Sequence, residues 1–443
     1  MTGSNKNVFT PFLEALRQMF VAVGAEAPYA PLRQKAWNQF LERGLPDKKQ
    51  DAFRYFPLTA LYKESFVSAL PKLTPTASLE SLTYSDSRAS TLVFVNGEFS
   101  SELSNLSGLP PSVIVLPLSK AYSTYSAFLQ NRWNQSLKEE DAFALANLAL
   151  HRPGAFIFIP PGVKLENPLH VLYLMQGEEA KKIQAFSRLH AFIGARAEVD
   201  FLFSTNYLSQ ETFCAHHLID FALDEGAICR SMHLSTHLQE GWHFEAIRAT
   251  LKRNSQLRTV SATRGGKALR QDYRVALMGE NADASLHGVW MLDKNRQAHT
   301  HVLMEHQAPH CQSLQLFKGA LENHSQSSFE GKIYVHKEAQ KTNAYQLNHN
   351  LLLGEHAIAN SKPNLEIFAD DVKASHGATV SQLKPDELFY LKTRGLSTQE
   401  AKRLLVEGFC KEIIDHFTYD PVSEELYQLL KEYLYAEAAH APL

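Results

Sequence analysis

Apolar and polar residues alternate with a period of two from Gly154 to about residue 385, and with a helical period on either side. Upstream, Phe12, Leu16 and Phe20 recur at helical spacing, and so do Leu32, Ala36 and Phe40. Pro31 stands just ahead of the second set and Gly44 just behind it, so residues 8–44 are expected to form two amphipathic helices. Phe53, Tyr55 and Phe56, before Pro57, are expected to pack against the rest of this region. Ser65 to Ser90 is rich in Ser and Thr with Pro71 and Pro75, the composition of a linker. Leu92–Val95 before Asn96-Gly97 is expected as a strand entering a tight turn, and Ser112–Leu116 as a second strand. Glu139–Leu150 reads as a short helix that His151-Arg-Pro-Gly154 brings to an end.

Within the alternating region, small residues follow a polar turn at Ala197, Ala227, Ser255, Ala282 and Ala308, spaced about 26–30 residues apart. The spacing then roughly halves, to about 15–17, through LENHSQS, HKEAQKT, LGEHAIA and ADDVKAS. Coils of this kind bury their apolar faces only by stacking. The expected fold is therefore mainly β, a parallel β-helix core flanked by N-terminal and C-terminal α-helical regions. Its parts are a helical region (1–68), a linker (69–89), the core (90–385) and a helical tail (386–443). In the tail, Asp386–Gly395 is a short helix, and Ser397-Thr-Gln-Glu400 has the capping-box pattern before AKRLLVEGFCKEIIDHF. Leu404, Leu405, Phe409, Ile413 and Phe417 are its expected apolar face, and Ser423–Ala439 is the last helix. So much apolar helix must cover the end of the solenoid or dock a partner.

Composition narrows the function classes. A formal net charge of −3 offers no basic footprint for nucleic acid. The first twenty residues lack the layout of a secretory leader, and no run of eighteen apolar residues exists to cross a membrane. The four cysteines, Cys214, Cys229, Cys311 and Cys410, include no C-x-x-C pair, which points to a reducing, cytoplasmic setting. The 20 histidines are the unusual figure, because ten fall between His287 and His376 and invite a metal reading.

The sharpest such pattern is His299-x-His301-x-x-x-Glu305, which resembles the first motif of cupins and suggests a metal-dependent oxygenase. The glycines flanking that motif are missing, since Asp293 and Gln312 occupy those neighbourhoods. Cys214 with His216 and His217, Cys229 with His233, and Cys311 with His310 are better explained as packed core, as is Cys410. Thr263–Lys267 lacks the spacing of a phosphate loop, and neither G-x-S-x-G nor H-E-x-x-H occurs. Any ATP must be handled by another chain. A β-helix carbohydrate lyase shares the architecture but belongs outside the cell. Phe368–Leu383 closes the strand region with Asp370, Asp371, His376-Gly377, Thr379 and Val380, and is expected as the last coil and part of an assembly interface.

Four segments carry a family resemblance: NLALHRPGAFIFIPPGVKLENPLHV (147–171), FKGALENHSQSSFEGKIYVHKEAQKTNAYQLNHNLLL (317–353), KPNLEIFADDVKASHGATVSQL (362–383) and FYLKTRGLSTQEAKRLLVEGF (389–409). They resemble the SufB/SufD family of the SUF iron–sulfur cluster assembly system, and the third is similar to its SufD-type branch. The resemblance implies a right-handed parallel β-helix in a non-catalytic scaffold subunit. Its implied partners are a SufB-type paralogue, paired through the β-helix, and a SufC-type ABC ATPase docked on the C-terminal helices, with a homodimer when alone. No tightly bound cofactor is implied in the isolated chain, only a transient Fe–S cluster at the interface with the SufB-type subunit. His376 matches the family's histidine at that interface, and imidazole is a known ligand to iron. Ala374 stands where many relatives carry cysteine, so the partner is expected to supply thiolate.

Overall fold

The computed structural model of the protein describes residues 10–25, 29–69, 79–177, 181–209 and 211–435. Residues 70–78 of the expected linker, the first nine residues and residues 436–439 of the expected last helix lie outside them.

From Ala155 onward consecutive strands alternate between two sheets, so that each coil lays one strand on each. Neighbouring strands in this region are parallel, and from Ile183 onward the coil length read from their register runs from 26 residues (Trp242 on Ala268) to 32 (Gln326 on Ile358) with no halving. Ile183 pairs with Phe213, Asp283 with Gln312, and Asn343 with Lys373. Alternate side chains of both sheets meet inside as one apolar core, running from Leu169 and Ile157 to Ile333 and Ala344. Stacking supplies the burial that no single coil achieves alone. The fold is a β-solenoid, mainly β, with helical regions at both chain ends, as the alternation predicts.

Turn chemistry sets the repeat. At one corner of successive coils stand Arg196, Gly226, Asn254, Asn281, His310 and Lys341, each with positive φ. Each donates its backbone N–H to the next coil's turn: Arg196 to Glu225 O (2.9 Å), Asn254 to Glu280 O (2.9 Å), His310 to Gln340 O (2.9 Å). The residue after each one points into the core, and Ala197, Ala227, Ser255, Ala282, Cys311 and Thr342 are all buried. Two sequence expectations change here. Cys311, not Ala308, occupies the fifth corner. The apparent halving of the repeat is an artefact of reading both corners: LENHSQS and LGEHAIA lie at one, HKEAQKT and ADDVKAS at the other.

The two ends of the solenoid differ. At the first end Thr91–Val95 turns back through Asn96 (φ 50°) and Gly97 (φ 86°) into Glu98–Asn105, and Ile114–Pro117 pairs antiparallel with Ala155–Ile159. These strands are the last of their sheets at this end, and Leu106, Leu109 and Val113 between them pack on the core. The far end finishes on Ile358–Ile367 and Val372–Ser381, with no further strand beyond either among the described residues.

Helices cover the outer faces of both sheets. Pro11–Val23, Ala30–Arg43 and Ala142–Leu150 pack on the first, around Phe156, Phe186, Trp242 and Phe244. Two helices inside the expected core, Leu118–Thr124 and Ser126–Ser136, belong to the same layer and escaped the sequence pattern. Their polar contact is an ion-pair network in which Arg132 holds Asp220, and Arg248 joins Glu139 (2.8 Å) to Asp272 (2.6 Å). Burial would raise the Asp220 carboxyl, but Arg132 outweighs it and holds the group well below the usual carboxylate range.

Of the tail helices, Thr398–Ile414 and Asp420–Tyr435 lie along the outer face of the second sheet and do not plug its end, while Pro385–Thr393 buries none of its residues and packs on Thr398–Ile414. The capping box forms: Glu400 N donates to Ser397 Oγ (3.2 Å) and Ser397 N to Glu400 Oε2 (2.8 Å). The buried stripe is rotated from the expected one, with Ala401, Val406, Cys410, Ile413 and Ile414 inward. Leu404, Phe389 and Tyr390 remain 49%, 69% and 57% exposed. This tail is apolar on two sides, and the sheet takes one of them.

Candidate functional site

Strand Val372–Ser381 is the edge of the second sheet at the far end. Its even-numbered residues face the solenoid interior: Ala374 packs on the core, and the register sets Ala374 on Ala344 and His376 on Gln346. The odd residues face outward, where Thr379 Oγ1 meets His349 Nδ1 at 2.8 Å. In an inner coil a residue placed like His376 would be covered by the next rung. Here no rung follows, and the imidazole is exposed. Ala374 shares its face, about 7 Å along the strand. Around it the edge presents Val380 and, at the preceding corner, Phe368 (57% exposed) and Ile367.

Two side-chain systems converge on this strand. Inside, Gln346 Nε2 donates to Gln315 Oε1 (2.9 Å), Asn350 Nδ2 to Asn348 Oδ1 (2.8 Å) and Asn348 Nδ2 to Phe317 O (3.1 Å). Gln315, Gln346 and His376 stack in one column on successive coils. Sequence reasoning missed this column. The signal was available, because the three residues stand one coil length apart. Outside, His349 neighbours Lys318 in register, and Lys318 Nζ reaches Phe409 O (3.2 Å) and the Glu412 carboxylate of the tail helix. Burial first, and then the Lys318 charge, push the His349 imidazole below its ordinary value.

The cupin-like set does not assemble. His299, His301 and Glu305 do share the outer face of strand Gln297–His306, as alternation requires. However, an extended chain separates i and i+4 by about 13 Å, too far for one metal ion. The rings are also engaged: His299 Nδ1 with Ser328 Oγ (2.7 Å), and His301 Nδ1 with Asp272 Oδ1 (2.6 Å). Burial takes His299 down to about 3. Among the described residues no three His, Cys, Asp or Glu side chains come together as a metal site.

The cysteines are packed as expected. All four are buried and unpaired. Burial pushes the Cys410 thiol up to about 12 and that of Cys311 to about 11. His216 is sandwiched between Phe186 (4.2 Å) and Phe244 (4.5 Å), and His233 Nδ1 pairs with Glu245 (2.9 Å) inside the core. Lys267 of the glycine turn is bound to Glu64, so no phosphate cradle exists there.

Comparison with known proteins agrees with this architecture. Residues 174–409 match the family described as SUF system FeS cluster assembly, SufBD core domain, and residues 9–171 match the SufBD protein N-terminal region. An iron–sulfur cluster assembly SufBD family protein from Synechocystis sp. is 29% identical over 412 residues, 91% of each chain. Iron–sulfur cluster assembly protein SufD from Escherichia coli is 28% identical over 409 residues, 91% of this chain and 92% of that one.

Proposed function

The chain belongs to the SufBD family, and we propose that it serves iron–sulfur cluster assembly as a non-catalytic scaffold subunit. In this reading it pairs with a SufB-type subunit through the open end of the solenoid and binds a SufC-type ABC ATPase on its tail helices. The Fe–S cluster is cargo, built transiently at the SufB-type contact, and no cofactor resides in the isolated chain. The cytoplasm is the expected compartment, in keeping with four thiols and no disulfide. Among the described residues no helix is long and apolar enough to cross a membrane.

The observation that carries the reading is the asymmetry of the two ends. At one, short antiparallel strands end the sheets and the segment between them packs on the core, while the other ends on two ten-residue parallel strands with apolar side chains exposed. An open edge of that length is an aggregation hazard unless a partner pairs with it. His376 stands on that edge, within reach of whatever docks there. With alanine at 374, this chain brings an imidazole but no thiol to the contact.

Co-expression with SufB-type and SufC-type proteins should yield one stable complex on size-exclusion chromatography, and a chain that elutes alone would sink the proposal. His376→Ala should leave that complex assembled and lower the yield of reconstituted cluster several-fold. An unchanged yield would make His376 a structural residue. The oxygenase reading has lost its metal geometry, and the lyase reading draws no support from the family.

A further inference from the structure

We infer that Gln346 is a positioning residue for His376: its side-chain carbonyl accepts one ring N–H of the imidazole and leaves the opposite nitrogen to face outward. The inference deepens the proposed role of His376 and rests on it only for its biological meaning. The hydrogen bond itself stands on the geometry of the last two coils.

Gln346 is fully buried and lies directly opposite His376 in the parallel register. Adjacent strands are about 4.8 Å apart, so side chains on one face of neighbouring rungs touch. The amide cannot turn freely. Its Nε2 donates to Gln315 Oε1 at 2.9 Å, and Gly331 leaves the space it fills, since a Cβ there would come within 2.1 Å of Nε2. The carbonyl Oε1 is then left buried without a hydrogen-bond partner. A buried acceptor beside an exposed edge can still be satisfied by a donor from that edge.

Gln315 Nε2 is also buried without a partner but makes no hydrogen bond to this carbonyl, so the donor has to come from strand Val372–Ser381, which offers one candidate. Its inward residues are Ala374, His376, Ala378 and Val380, and only His376 carries a side-chain donor. The imidazole is exposed and changes rotamer readily, so turning one N–H inward is accessible to it. Ligand histidines are commonly oriented in this way, by a carbonyl that takes the N–H of the non-ligating nitrogen. Such a contact selects one tautomer and presents the other nitrogen to the open end.

The full-length chain, labelled with 15N-histidine, tests this at about pH 8. His376→Ala identifies the resonances. The wild type should show His376 as a single tautomer. The near-isosteric Gln346→Met should convert it to the mixed tautomers of a free surface histidine, whereas Gln346→Glu, which keeps an acceptor, should preserve the single form. Identical tautomer populations in wild type and Gln346→Met would overturn the proposal, and so would a mixed population in Gln346→Glu. The outcome is separable from the scaffold reading. Loss of the single tautomer in Gln346→Met, with unchanged cluster yield in His376→Ala, would uphold the hydrogen bond and remove only its role in assembly.

Discussion

Lowering the pH from 7 to 5 is expected to unfold this protein, with a midpoint between about 5 and 6 set by its buried imidazoles. His170, His299 and His306 are each pushed down to about 3 by burial, and His243 to about 4. Carboxylates offset only part of this, Glu425 for His170 and Glu245 for His243. His170 and His306 face serine hydroxyls, at 2.7 and 2.8 Å, and both ring nitrogens of His243 are buried without a hydrogen-bond partner. The sign follows from linkage. A histidine whose folded value lies below its unfolded value of about 6.5 binds protons preferentially in the unfolded chain. Its contribution is complete above about pH 6.5 and is lost progressively as the pH falls toward 3–4. Each such group costs roughly 1.4 kcal/mol per pH unit, so the four together remove on the order of 8 kcal/mol by pH 5. That is comparable to the whole net stability of a typical domain, about 5–15 kcal/mol. The buried carboxylates titrate lower. Burial would raise Glu245, but His233 and neighbouring groups draw it down to about 2, so its loss begins only below about pH 4. Circular dichroism and tryptophan fluorescence from about pH 8 to about pH 4 check this, and a native spectrum retained at about pH 5 would refute it.

Removal of residues 386–443 is expected to abolish soluble expression, not merely partner binding. The tail helices cover Leu202, Met232, Leu234, Val260, Val289, Met291 and Leu316 on the outer face of the second sheet. At roughly 1–2 kcal/mol for each side chain returned to water, the loss is on the order of 10 kcal/mol. It also breaks the contact of Lys318 with Phe409 and Glu412, and that of Tyr433 Oη with Ala320 O (3.1 Å). A soluble, monodisperse truncated chain with an unchanged melting temperature would contradict this. ATPase docking is better tested from the other side of the tail. Phe389→Asp and Leu404→Asp alter exposed positions, so they should leave the melting temperature within a degree or two and weaken binding of the ATPase at least tenfold. Undiminished binding in both variants would move the docking surface elsewhere.

Legibility in the sequence followed the range of the physics involved. Period-two alternation, the capping box at Ser397 and the turn at Asn96-Gly97 are local, and each appears where the pattern puts it. The repeat was legible only in outline. Small corner residues look alike at both turns of a coil, and Cys311 fills a place where alanine was expected. The His299 motif misled for a related reason. Alternation correctly puts the three residues on one face but says nothing of their separation, and an extended strand holds His301 and Glu305 apart. In the tail, helical period identified apolar residues on two sides without telling which side the sheet would take.

The residue pattern by itself determined the class of fold, the helices at both chain ends, the family and the strand on which His376 stands. Tertiary structure decided that the two ends of the solenoid are finished differently, and that Gln315, Gln346 and His376 form one column. The physical reason is that alternation, caps and turns act over a few residues. A column forms only when corners about 30 residues apart come into register, and no local preference encodes that alignment.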